Sequence, residues 1–188
     1  MTSNNIHDDS IHGDDIYYDE MDSPVGSLRL VADRQGLREI WFEHERHPKQ
    51  AHANWIRATA PLQPFRRQLD EYFAGQRRHF DLLLHPLGTP FQLAVWQELR
   101  RIPYGSTISY GELARRIRKP QAMRAVGAAN GRNPLPIVVP CHRVIGADGS
   151  LTGFGGGLPT KRCLLALEHA MPADDLFARP THAAHPTS

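Results

Sequence analysis

The sequence predicts an α+β protein: a small unit of strands and one helix in the first half, then a mainly helical second half. Three observations carry this. The chain has 188 residues, of which 40% are apolar, with 22 Lys plus Arg against 20 Asp plus Glu. That is a globular composition, long enough to bury a core without disulfides or a structural metal. Period-two alternation marks the stretch before residue 45, and apolar residues at helical spacing follow it. Beyond residue 88, start and stop signals for several short helices succeed one another.

Residues 1–15, rich in Asp, Asn, Ser and His without periodicity, read as a disordered tail. Ser27–Ala32 and Leu37–Phe42 alternate around Asp33-Arg34-Gln35-Gly36, which predicts two antiparallel strands and a tight turn. Leu62, Phe65, Leu69, Tyr72 and Phe73 predict a helix that stops near Gly75. Phe80–Leu84 reads as a further short strand. This first unit, residues 16–85, offers no evident nucleophile.

His85-Pro86-Leu87-Gly88-Thr89-Pro90 is the expected boundary, opening a second domain over residues 86–170. Thr89 can cap a helix whose first turn accepts Pro90, with Phe91, Val95, Trp96 and Leu99 as its apolar face. Ser109-Tyr110-Gly111-Glu112 reads as a capping box for a helix through Ile117. Arg118-Lys119-Pro120 breaks it, and a second short helix runs from Gln121 to Ala129. Such a pair resembles a helix-turn-helix, although ordinary helical hairpins are commoner. Small residues surround Arg124 in the second helix, from either indifferent packing or close approach to a nucleic-acid surface. Gly131–Pro136 is a loop containing Asn133, and Ile137–Val139 is an apolar, extended run leading into Pro140-Cys141-His142-Arg143. A final helix is expected over Lys161–His169, and residues 171–188 read as a flexible tail.

Charge is uneven along the chain. Residues 89–188 hold twelve basic and six acidic groups, and Arg100–Arg162 alone holds eleven basic against two acidic. This suggests a polyanionic partner such as nucleic acid, or else a solvated basic face. No apolar run is long enough to span a membrane, and the first 22 residues carry seven acids and no Lys or Arg, unlike an export leader. With two cysteines, the expectation is the reducing cytoplasm.

Cys141 is the candidate nucleophile. A lone cysteine is most often a small buried hydrophobe. Against that, His142 supplies a base, Arg143 adds positive charge, and Gly153-Phe154-Gly155-Gly156-Gly157 can present N–H groups near a substrate. Lowering a thiol from about 8.5 to about 7, worth ~2 kcal/mol, would half-ionise it, and a nearby imidazole is the expected cause. Adjacent residues of an extended chain face opposite ways, so a bridging water is the expected link between Cys141 and His142. Glu168 is the candidate orienting acid. Cys163, among leucines in the last helix, reads as a buried hydrophobe. His44, His47 and His52 read as surface histidines rather than metal ligands.

With these residues assembled, the sequence resembles the DNA-repair alkyltransferases that accept alkyl groups from O6-alkylguanine. The resemblance rests on Pro140-Cys141-His142-Arg143-Val144-Ile145-Gly146, Asn133-Pro134, Gly156-Gly157 and Leu164-Leu165-Ala166-Leu167-Glu168. Phe91 to Trp96, Ile102-Pro103-Tyr104-Gly105, Ser109-Tyr110 and Arg124-Ala125-Val126-Gly127 fit at the expected spacing.

The resemblance implies a ribonuclease-H-like first domain and a helix-turn-helix second domain that enters the minor groove of double-stranded DNA. Arg124 would replace an extruded nucleotide, Ala125 and Gly127 would permit close approach, and Arg132 would add a DNA contact. Tyr110 would assist rotation and donate a hydrogen bond to the base N3. Extrusion is required because O6 of a stacked guanine is out of a buried thiol's reach. His142, through water, would take the thiol proton, Glu168 would orient His142, and Asn133 would hold the loop. The carbonyls of Cys141 and Val144 would accept from the guanine amino group, and Gly155 N–H would bond O6. Pocket width would depend on Asn130, Pro136, Phe154 and Gly155. Transfer to Cys141 would be irreversible and single-turnover, with no cofactor and no metal, in a monomer whose clustering on DNA stays open, as does activity on O4-alkylthymine.

Phe154 stands where the family often has tyrosine, and residues 1–140 hold no cysteine for the zinc site of some members. Two other readings remain in view: a noncatalytic lesion sensor, disfavoured by the presence of Cys141, and a thiol hydrolase, disfavoured by the adjacency of Cys141 and His142.

Overall fold

The structure, a computed structural model, describes residues 15–44 and 51–170. The tails read from the sequence, apart from Asp15, and His47 lie outside the described residues. A four-stranded sheet forms from β1 (Tyr17–Met21), β2 (Leu28–Asp33), β3 (Gly36–Phe42) and β4 (Ile56–Arg57), in the order β3-β2-β1-β4. The expected hairpin is present, antiparallel with Leu30 opposite Ile40 and a register shift between Val31 and Ala32. Its turn is closed by Asp33, whose Oδ1 accepts from Gln35 N at 2.8 Å and Gly36 N at 3.2 Å. A Cβ at position 36 would collide with the Leu83 carbonyl, so only glycine lets the 83–85 segment lie against β3.

β1 was absent from the sequence expectation, and Asp19 and Glu20 explain why. A strand carrying two adjacent acids reads as surface, yet Asp19 is buried. Thr59 Oγ1 donates to its Oδ2 at 2.8 Å and Arg66 Nη1 at 2.9 Å, partners 40 and 47 residues away that no local pattern reveals. The strand expected at Phe80–Leu84 reduces to one bridge, Leu37 with Leu84. Gln68 takes up the backbone there instead: its Nε2 donates to Asp81 O at 2.7 Å, and its Oε1 accepts from Asp81 N at 2.9 Å.

Helix α1 (Gln63–Phe73) buries Phe65, Leu69 and Tyr72. The second half contains α2 (Pro90–Leu99), α3 (Tyr110–Arg116), α4 (Met123–Gly131) and α5 (Gly157–Leu167). Thr89 and Gln92 form a reciprocal capping box on α2. On α3 only half of the expected box forms: Ser109 Oγ accepts from Glu112 N at 3.1 Å, while the Glu112 carboxylate turns to Arg115 and Arg116. A 3₁₀ turn at Pro120–Ala122 joins α3 to α4. α5 begins four residues before the expected start, because Gly157 at φ 84° turns the chain into it. A small parallel pair, β5 (Ile108–Ser109) and β6 (Val144–Ile145), holds the reactive segment beside the start of α3.

Ile137–Val139 is not extended, contrary to expectation. Ile137 has φ 75°, and the run closes on itself through Val139 N to Leu135 O at 2.8 Å and Cys141 N to Val139 O at 2.8 Å. Side-chain burial decided the apolar composition here, and burial alone does not distinguish a strand from a buried turn. Ile40 N donates to Pro134 O at 2.8 Å, tying the sheet to this turn. One apolar core runs through both halves, from Leu30, Ile40 and Leu69 to Trp96, Val126 and Leu164.

Candidate active site

Cys141, His142 and Arg143 form a single 3₁₀ turn, so their side chains leave the backbone about a third of a turn apart rather than on opposite faces of a strand. Cys141 is 5% exposed and His142 is fully buried. Asn133 braces the turn: its Nδ2 donates to Val139 O at 2.7 Å and its Oδ1 accepts from Leu135 N at 3.0 Å.

Glu168, at the C-terminal end of α5, lies behind the histidine. Its Oε1 is 2.9 Å from His142 Nε2. Arg143 donates to the same carboxylate through Nε at 2.8 Å and Nη2 at 2.9 Å, and Tyr72 OH donates to Oε1 at 2.7 Å. Burial alone would raise this carboxyl, but the hydrogen bonds from His142 and Arg143, with the Arg143 charge, reverse that and hold it down to about 2. The carboxylate is therefore ionised and can only accept, which places the imidazole proton on Nε2. Burial pushes the His142 imidazole down against the pull of Glu168, so the ring is neutral. Its Nδ1 then carries a bare lone pair, buried and without a hydrogen-bond partner among the described residues.

The expected lowering of the thiol is not found. Burial pushes Cys141 up to about 11, against smaller opposing effects from the Asn133 hydrogen bond and the Lys161 charge. Arg143 does not face the thiol as a free charge, because Glu168 and the Ile102 carbonyl take its guanidinium. The neighbouring cation is Lys161, which the sequence reading missed. Its ammonium is buried, donates to Val144 O at 2.6 Å and Thr152 O at 2.8 Å, and is lowered to about 8 by desolvation. Tyr72 was missed as a site residue too. Cys163 is exposed, not buried as expected, because it lies on the face of α5 opposite the buried Lys161, Leu164 and Leu165.

The remaining candidates divide by exposure. Pro136, Val144 and Asn130 are buried, and Asn130 Oδ1 has no partner among the described residues. Phe154 is half-buried, its ring 5.6 Å from that of Phe42 and 6.5 Å from that of His142, while Gly155 is exposed. Tyr110 opens α3 with its OH 3.4 Å from Thr152 O, and Gly127 of α4 faces its ring. Arg124, Ala125 and Arg132 are exposed, and neither arginine has an acid partner among the described residues. No group of three or more possible metal ligands occurs among the described residues. No helix among them is long and apolar enough to cross a membrane.

The class so defined is a two-part α+β protein whose shielded thiol, backed by an ionised carboxylate and a neutral imidazole, adjoins a helix pair bearing free arginines. Family descriptions agree with it over nearly all described residues. Residues 16–86 match the 6-O-methylguanine DNA methyltransferase ribonuclease-like domain, and residues 90–170 match the DNA binding domain of the same family. The chain belongs to the 6-O-methylguanine DNA methyltransferase family. It is 46% identical over 153 residues to a methylated-DNA–protein-cysteine methyltransferase of Methanosarcina acetivorans, covering 81% of this chain and 98% of that one. A Mycobacterium bovis protein of the same name is 47% identical over 162 residues, 86% of this chain and 97% of its own. The crystal structure of the Mycobacterium tuberculosis O6-methylguanine methyltransferase superposes with a TM-score of 0.77 at 46% identity, covering 85% of this chain and 96% of that one. A structure from that organism in complex with DNA gives a TM-score of 0.76, also at 46% identity, over 85% of this chain and 98% of that one.

Proposed function

We propose that this methylated-DNA–protein-cysteine methyltransferase repairs double-stranded DNA by moving the alkyl group of O6-alkylguanine onto Cys141 once per molecule. The observation that carries the reading is the buried Glu168–His142 pair at 2.9 Å beside a buried thiol, with Nδ1 of the ring left as a proton acceptor.

The chemistry balances without a cofactor. The thiol proton passes to His142 Nδ1 through one water, and Sγ attacks the alkyl carbon in line with the C–O6 bond. A C–S bond forms, the C–O6 bond breaks, and its electron pair leaves on guanine, which takes up the equivalent of the thiol's proton. Ionising a thiol of about 11 at pH 7 costs about 5 kcal/mol, so the DNA-free protein holds an inert thiol. Glu168 offsets part of that cost as the imidazole becomes charged. The thioether product has no group placed to displace it, so the protein stops after one transfer.

Residues 16–85 serve as the supporting domain and residues 86–170 as the DNA-binding and transfer domain. Arg124 fills the stack left by the flipped nucleotide, Ala125 and Gly127 let α4 approach the minor groove, and Arg132 contacts phosphate. Tyr110 turns the base and hydrogen-bonds N3. Pro136, Val144, Asn130, Phe154 and Gly155 bound the pocket, and Asn133 keeps the reactive turn in place. The protein acts as a monomer in a reducing compartment, where Cys141 and Cys163 stay free thiols. O4-alkylthymine is a second candidate substrate.

Intact-protein mass spectrometry after incubation with a duplex holding one O6-methylguanine tests the reading. One added methyl on the Cys141 peptide, saturating at one equivalent and absent in Cys141→Ala, is expected. Multiple turnover, or an unmodified Cys141 after repair, overturns it.

A further inference from the structure

Free cations gather at a second place, away from α3 and α4. A cleft of about 240 Å³ opens between residues 78–84, the C-terminal end of α2 and the turn that precedes Cys141. Arg78, His79, Arg100 and Arg101 stand exposed at its mouth, and the nearly buried Arg143 forms part of its wall. No acidic residue lines it, and none of its lining residues comes from α3 or α4.

Pairing elsewhere gives this cluster its meaning. From Arg29 to Arg77, every described arginine except Arg34 has an acid within 4.0 Å. At the cleft Arg101 pairs with Glu98 at 2.9 Å, but Arg78 and Arg100 have no acid partner among the described residues. Arg78 is instead held over the Tyr104 ring at 5.5 Å, and the Arg143 guanidinium lies 5.8 Å from the centre of that ring. Arg101 and Arg143 keep Glu98 and Glu168 as counter-charges, whereas the Arg78 and Arg100 guanidinium groups at the cleft are left to share an anion. Planar forks of this kind match the oxygens of a phosphoryl group. The volume is below the usual range for drug-sized ligands, so it suits one phosphate with its sugar or base against the apolar floor of Phe80 and Pro103.

The geometry points to a second phosphoryl-binding site, in the cleft behind the reactive turn and separate from the Arg124 surface. Its ligand is a phosphate monoester or diester, supplied by a free nucleotide or by the backbone of a second DNA segment. Arg143 joins it to the active site, because the same guanidinium that lines the cleft donates both hydrogen bonds to Glu168.

The test uses the full chain and an Arg78→Glu/Arg100→Glu pair, with Arg78→Gln/Arg100→Gln as the milder version. Neither residue belongs to the transfer machinery, so thermal stability and transfer to a short lesion duplex at saturating protein should stay at the parent level. One arm titrates dGMP by calorimetry; the other follows energy transfer between two undamaged duplexes, one donor-labelled and one acceptor-labelled, that a single protein brings together. A loss of at least about tenfold in either signal, as expected for two charge-assisted contacts, supports the site, and the arm that responds names the source of the phosphate. Arg124→Ala should leave the dGMP signal intact. Parent-like behaviour of both variants in both arms, or equal loss of dGMP binding in Arg124→Ala, overturns the proposal.

Discussion

Tyr72→Phe removes one oxygen from the far side of the site. In the parent, the phenol donates to Glu168 Oε1 at 2.7 Å, and both residues are buried. A hydrogen bond to an ionised acceptor contributes about 1.5–3 kcal/mol. Glu168 keeps His142 and both Arg143 contacts after the change, so the carboxylate is not orphaned and the loss should fall near 2 kcal/mol. For a chain of this size that lowers the melting temperature by about 4–8 °C. Tyr104→Phe is the matched comparison: its OH donates at 2.9 Å to a neutral acceptor, the Leu167 carbonyl, where about 0.5–1.5 kcal/mol is expected. Urea denaturation of the parent and both variants, with DNA affinity measured alongside, makes the comparison. The expected order is a larger loss for Tyr72→Phe at unchanged DNA affinity. Equal losses, or the reverse order, would refute the claim that a charged Glu168 is the phenol's partner.

Four further outcomes can be measured. Glu168 is ionised in the fold down to about 2 but only to about 4.5 when unfolded, so it adds about 3 kcal/mol above pH 4.5 that is lost as the pH falls from 4.5 towards 2; Glu168→Gln should flatten that limb in acid denaturation. Arg124→Ala should slow repair of a lesion in duplex far more than reaction with free O6-methylguanine, and equal slowing would sink the finger role; parent binding to duplex should fall steeply with salt. Titration with a bulky disulfide reagent should show one fast thiol, absent in Cys163→Ser, and one slow thiol, because Cys163 is exposed while Cys141 is buried with its thiol pushed up to about 11.

Local chemistry was legible where sequence neighbours decide the structure. Thr89 with Pro90, Ser109, and the Asp33–Gly36 turn announce their elements because each cap or turn is made within four residues. Cys141, His142 and Glu168 were legible as a thiol, a base and its orienting acid, and the family resemblance supplied the role of Asn133. What stayed hidden depends on distant partners. Tyr72 looked like one more apolar helix position, yet its oxygen meets a carboxylate 96 residues away. Lys161 read as the polar start of a helix, yet its ammonium is buried between two carbonyls. The thiol's direction of shift was misjudged because local charge was visible in the sequence while the degree of burial was not.

The contact between α1 and the carboxylate has a consequence for how damage to this protein distributes itself. The first half holds no nucleophile and no free arginine of the helix pair, so it invites treatment as a replaceable support. Tyr72 and the Ile40–Pro134 bond nevertheless make it a wall of the transfer site. A saturation screen for lost repair should therefore return inactive substitutions from Ile40, Leu69 and Tyr72 as readily as from α3 and α4. An excised second half would carry every reacting group and still lack the phenol that completes its carboxylate.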